Sequence, residues 1–160
     1  MKEFLIIFPD QNIEIKAYLM SEKAPITCDG FWEAIKNPIE ILGQHAMYTG
    51  REISTQLPES LCDKGLLDNP TSENLTCFPL PGELLFTFMS KYSFEGNPFP
   101  IYDIGIFYGR NARTFFPMGW LPGNLFARVA NEHEQYKLLE IGQYINCYGQ
   151  QKVIFKRVEK

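Results

Sequence analysis

From Ile13 to Leu19 the chain alternates: Ile13, Ile15, Ala17 and Leu19 are apolar, and Glu14, Lys16 and Tyr18 stand between them. A period of two sends successive side chains to opposite faces, so this segment is a strand with one buried face. The dense run Phe4 to Phe8 precedes it, and Pro9-Asp10-Gln11-Asn12 carries turn chemistry. Together they read as an opening hairpin. Similar short runs recur at 39–48 and 51–56 around Thr49-Gly50, at 84–88 after Pro81-Gly82, and at 101–108, 124–129 and 153–155. Gly105 inside one of them marks a bulge or a close backbone approach. Many short strands, each with a face to bury, are accommodated by an antiparallel sheet that closes or nearly closes.

Two segments have helical spacing instead. Pro25 suits a first helical turn, and Cys28, Phe31, Trp32 and Ile35 fall on one face before Asn37-Pro38 ends the run. Gly30 lies inside this helix, so packing must hold it. Trp32 is read as core. Asn131 and Glu134 have capping-box spacing, Leu138, Ile141 and Ile145 extend the stripe, and Gly149 can close it. The stretches 57–80, 90–100 and 109–120 are interrupted by Pro and Gly and read as loops. With 160 residues, no repeat and no linker, residues 1–160 are expected to form one domain, mainly β, with two helices capping the open ends.

Composition excludes several functions. The net charge is −4, and the one basic cluster (Lys152, Lys156, Arg157, Lys160) lies by the final strand, so no nucleic-acid partner is expected. No run approaches the roughly 20 apolar residues of a membrane helix, and Pro9-Asp10 stops the first apolar run too early for a signal peptide. The expectation is a cytoplasmic protein without a membrane partner. Cys28, Cys62, Cys77 and Cys147 form no C-x-x-C pair, and Lys137 stands where a His133-Glu134 zinc motif needs its second histidine. No metal is expected. No glycine-rich phosphate loop, dinucleotide fingerprint or Gly-x-Ser-x-Gly elbow occurs, so no cofactor is expected either.

In chain order, Ala24-Pro25-x-Thr27 before Trp32, then Gly43-x-His45-Ala46-x-Tyr48-x-Gly50-x-Glu52, resemble a family of uncharacterised bacterial cyclophilin-like proteins. Glu73-Asn74-x-Thr76-x-x-Pro79-x-Pro81-Gly82-Glu83, Ile106-x-Tyr108-Gly109 and Leu121-Pro122-Gly123-Asn124-x-Phe126-Ala127-Arg128 continue the match, from Phe4 to about Arg157. The resemblance implies a closed or nearly closed barrel of about eight antiparallel strands. It does not imply prolyl isomerisation, because the Phe-His-Arg stretch and Gln-Gly-Gly turn of true cyclophilins are absent.

Two clusters carry candidate chemistry. If Thr49-Gly50 is a two-residue turn, His45 and Glu52 become diagonal neighbours on one face, an arrangement suited to general acid–base catalysis. The same pair can be a structural polar contact. Tyr108, Arg110 and Arg113, with Phe115 and Phe116, offer guanidinium forks and aromatic faces to a small anionic or planar ligand, or else form a solvated loop. Asn124 can contact a ligand or satisfy local backbone, and Arg128 is read as structural. The leading expectation is a small-metabolite pocket ringed by His45, Tyr48, Glu52, Tyr108 and Asn124; the resemblance, through enzymes of related fold that process small amides, implies metal-independent hydrolase or isomerase chemistry on a cyclic amide. The alternative is a non-catalytic homo-oligomeric interaction module using exposed aromatics and the loop at 57–79.

Overall fold

The computed structural model describes residues 1–94 and 96–159. Lys160 of the basic cluster lies outside the described residues. The eight long strands are β1 (Glu3–Phe8), β2 (Ile13–Leu19), β3 (Ile39–His45), β4 (Glu52–Gln56), β6 (Glu83–Met89), β7 (Ile101–Phe107), β10 (Gly123–Val129) and β11 (Gln151–Arg157). Their order is β2-β1-β11-β3-β4-β7-β6-β10, and β10 returns to β2 through Ala127↔Leu19, Arg128↔Tyr18 and Val129↔Ala17. All these pairings are antiparallel, so the sheet is closed and the eight strands leave no free edge among themselves. The short β5 (Leu75–Thr76) adds to one end of β10, and β8 (Phe115–Phe116) with β9 (Gly119–Trp120) forms a separate hairpin.

Among the described residues three helices accompany the barrel: α1 (Pro25–Ala34), α2 (Glu59–Cys62) and α3 (Glu132–Tyr148). The two expected capping helices are α1 and α3. The third, α2, is a single turn inside the loop at 57–80, too short for a hydrophobic period to reveal it.

The barrel interior is filled. Phe4, Phe126 and Phe155 surround Phe31 of α1 in edge-on contacts, with ring centres 5.1, 5.1 and 5.5 Å away. All four rings are fully buried, each contributing on the order of 2 kcal/mol by transfer from water. Trp32 does not join them. It sits partly buried at the rim, where the Arg157 guanidinium lies 4.5 Å from its ring centre. The sequence spacing placed it one step too far around the helix face.

The start of α1 has no capping side chain of its own, since Ala24 occupies the N-cap. Glu73, from the irregular loop, supplies the missing acceptors. Its carboxylate accepts from Ile26 N–H, Thr27 N–H and the Thr27 hydroxyl, each at 2.9 Å. Gly30 lets the same loop approach, because a Cβ there would collide with Leu67. The helix is thus held by the loop as well as by the core.

Candidate functional site

The β3–β4 hairpin sets the geometry. Its pairs are Gly43↔Thr55, Gln44↔Ser54 and His45↔Ile53, and residues 46–51 connect them. The connection is therefore longer than a two-residue Thr49-Gly50 turn, and the register is offset by one from the expected His45↔Ser54. A one-residue slip moves a side chain to the other face. His45 and Glu52 consequently do not share a face: His45 follows Ile53, which is core, while Glu52 follows Ser54 and Gln56 on the outside of the barrel.

His45 has a different partner. Its Nδ1 lies 2.9 Å from the Ala46 carbonyl, which can only accept, so Nδ1 carries the proton. In the neutral ring Nε2 then accepts from the Tyr108 hydroxyl at 2.7 Å. Tyr108 is buried with its ring against Gly142 of α3, where any Cβ would overlap it. Burial pushes the Tyr108 hydroxyl above its ordinary range, partly offset by the nearby Arg51 charge.

A cavity of about 360 Å³ lies on the outer face of β4, β7 and β6. Alternation along β4 aims Glu52, Ser54 and Gln56 into it, and the adjacent strands add Asp103 and Thr87, which pair with each other in register. Met47, Tyr48, Phe94, Phe116 and Met118 form apolar walls, and among the described residues no Lys or Arg lines it. His45 also borders the cavity, as a neighbour of Gln44 and Ala46.

The floor carries two carboxyl groups in a poor environment for charge. Glu52 is buried, and the Thr49 hydroxyl donates to it. Burial, then the proximity of Asp103, raises the Glu52 carboxyl to about 8, against the lowering effect of Thr49. Burial likewise raises Asp103 to about 6, while the Ser54 hydroxyl, donating at 2.8 Å, holds it lower. Gly105 explains how the Glu52 carboxyl fits: a Cβ on that glycine would occupy its place. The close approach expected at Gly105 is therefore to a side chain. Asp103 was not singled out by sequence. Its signal was a lone acid in the apolar run 101–107, in phase with Gly105 and opposite Ile104 and Ile106.

The remaining candidates disperse. Tyr48 is a half-exposed wall of the cavity, edge-on to Phe116 at 6.4 Å. Arg110 is exposed and borders a separate cleft with Tyr108. Arg113 is exposed and borders neither. Asn124 lies away from the cavity, and its polar atoms are engaged internally: its Oδ1 accepts from Glu73 N–H, and its Nδ2 donates to the Thr27 hydroxyl and the Thr71 carbonyl. It fastens the loop to α1, with both amide protons engaged. Arg128 pairs with Glu83 at 2.6 Å, in keeping with a structural role. Among the described residues no three His, Cys, Asp or Glu side chains converge as a metal site, and no helix is long and apolar enough to cross a membrane.

The structure is similar to that of McbB in complex with tryptophan, with a TM-score of 0.70 and 15% identity, over 98% of this chain. The chain spans 45% of that chain's length. A cyclophilin-type peptidyl-prolyl cis-trans isomerase from Cryptosporidium parvum, solved in the presence of the dipeptide Ala-Pro, aligns over the whole of both chains at 11% identity and a TM-score of 0.47. No curated protein matches. The expected closed antiparallel barrel of eight long strands holds, as does the expectation of an uncharacterised family. Residues 6–156 match the model of one family, and the chain belongs to it: the protein of unknown function family DUF3830.

Proposed function

We propose that the outer-face cavity binds a small cyclic amide and that Glu52 and Asp103 perform acid–base chemistry on it. One observation carries the reading: two neighbouring carboxyls, both pushed up by burial, share the floor of an apolar-walled cavity. Environments that push paired acids apart assign their roles. Near neutral pH Glu52 is protonated and is the acid, and Asp103 is ionised and is the base. A ring locks an amide cis, so its N–H and C=O lie on one edge. A protonated carboxyl presents a matching acceptor and donor on one edge. The lack of lysine and arginine in the lining turns anionic ligands away, and the methionine and aromatic walls suit a planar ring. In a hydrolysis Asp103 takes a proton from the attacking water, and Glu52 gives one to the departing nitrogen.

A panel of cyclic amides tests this by thermal shift and by NMR-monitored turnover. Tryptophan, bound in the structurally similar McbB, belongs in the panel as an amino acid with a planar ring. The reading expects turnover that rises as Asp103 ionises near pH 6 and falls as Glu52 ionises near pH 8. Glu52→Gln is expected to lower turnover by about 10²–10⁴. A panel without any binder, or turnover indifferent to Glu52→Gln, contradicts it. Self-association is a second reading, favoured by the exposed Phe78, Phe115 and Trp120, whose rings contact one another at 5.4 and 4.9 Å. A monomer at all concentrations in sedimentation would end that reading.

A further inference from the structure

A second cleft, of about 240 Å³, lies between the segment after β7 and the first turns of α3. Arg51, Tyr108 and Arg110 line one side, and Glu132, Gln135 and Tyr136 the other. Neither arginine takes part in an ion pair among the described residues, although Arg128 and Arg157 do. Arg51 is also positioned. Its aliphatic stem lies against Gly109, where a Cβ would overlap it. That contact restricts where the guanidinium can go, which reduces the ordering cost of gripping a ligand. The cleft's one carboxylate, Glu132, accepts a long 3.4 Å bond from the Tyr136 hydroxyl. Two guanidinium groups against one carboxylate leave the cleft net positive in an acidic protein.

We infer that this cleft is a binding site for a compact oxyanion, a carboxylate or a phosphate, held by Arg51 and Arg110. The planar forks match either anion through paired charge-assisted hydrogen bonds, and Gln135 adds an amide donor at the opposite wall. The site is separate from the acidic cavity and opposite to it in charge. Tyr108 lies between them, lining the cleft and donating to His45, which borders the cavity.

The test titrates the whole protein with inorganic phosphate and, separately, with succinate, each against sodium chloride at equal ionic strength. Binding is read from the arginine Nε–Hε resonances and by calorimetry. Saturation by either anion supports the site, and the anion that saturates it names the ligand chemistry. A response no different from chloride overturns it. Arg51→Gln and Arg110→Gln should each weaken binding about tenfold, because each removes charge-assisted bonds. Glu132→Gln should tighten it. Gly109→Ala should weaken it with both charges retained, since the Arg51 stem must move. Arg113→Gln and Glu52→Gln, outside the cleft, should leave the affinity unchanged. Equal affinity in the Arg51 and Arg110 variants and the unaltered protein would overturn the assignment even if phosphate binds.

Discussion

Two carboxylates, Glu73 and Glu52, each receive a threonine hydroxyl, and they have opposite surroundings. Glu73 accepts three hydrogen bonds, two from the backbone of α1, and Asn124 ties it in turn to Thr27 and Thr71. Glu52 has one donor, a second carboxyl nearby and a cavity above it. A half-buried acid with three donors is satisfied in its charged form and stabilises the fold. An acid with few partners costs stability when ionised and retains its proton, which is the condition for acid–base work. The contrast separates a carboxylate satisfied by the fold from a proposed proton donor within one barrel.

The comparison can be broken at either end. The largest effect is expected from Asn124→Ala, which strands Glu73 N–H, the Thr27 hydroxyl and the Thr71 carbonyl. It should cost about 3 kcal/mol, seen as a lower urea midpoint. A cost near zero would show that the loop–helix network is not structural. Glu52→Gln should act in the other direction. The folded carboxyl is raised from 4.5 to about 8. Below 4.5 the group is protonated in both folded and unfolded chains, so the substitution changes little. As pH rises from 4.5 to 8, only the unfolded chain ionises freely, and the native protein loses stability. Glu52→Gln should therefore stabilise by about 2 kcal/mol at pH 9, part of the full shift being shared with Asp103, and by almost nothing at pH 4. Paired urea melts at the two pH values measure this. A smaller effect follows from Gly105→Ala, whose Cβ displaces the Glu52 carboxyl and presses on Phe107, at a cost of about 1 to 2 kcal/mol. Tyr108→Phe should cost about 1 kcal/mol and release the His45 ring, visible as loss of its fixed tautomer by nitrogen NMR.

Much of the barrel was legible because burial forces a period of two on each strand. The opening β1–β2 hairpin and the capping of α3 by Asn131 followed from residues adjacent in sequence. The site was less legible because it depends on parity across a loop. Thr49-Gly50 has the composition of a tight turn, and Gly50 does adopt a positive φ of 94°, yet the connection takes residues 46–51. That offset sets His45 opposite Ile53 instead of Ser54 and leaves Glu52 beside Asp103 rather than His45. Asp103 was hidden for a related reason: its closeness to Glu52 arises from β4–β7 pairing, which no local pattern encodes. Asn124 and Glu73 come from segments far apart in sequence, so their mutual satisfaction was equally out of view.

The central claim concerns the proton on Glu52. A pH titration of carboxyl-labelled protein by carbon NMR reads it directly, with Glu52→Gln and Asp103→Asn assigning the signals. The account predicts that the two groups titrate well above ordinary carboxyls and apart from each other, Asp103 near 6 and Glu52 near 8. If both are ionised by pH 5, the cavity holds no neutral acid, and the assignment of Glu52 as proton donor is wrong.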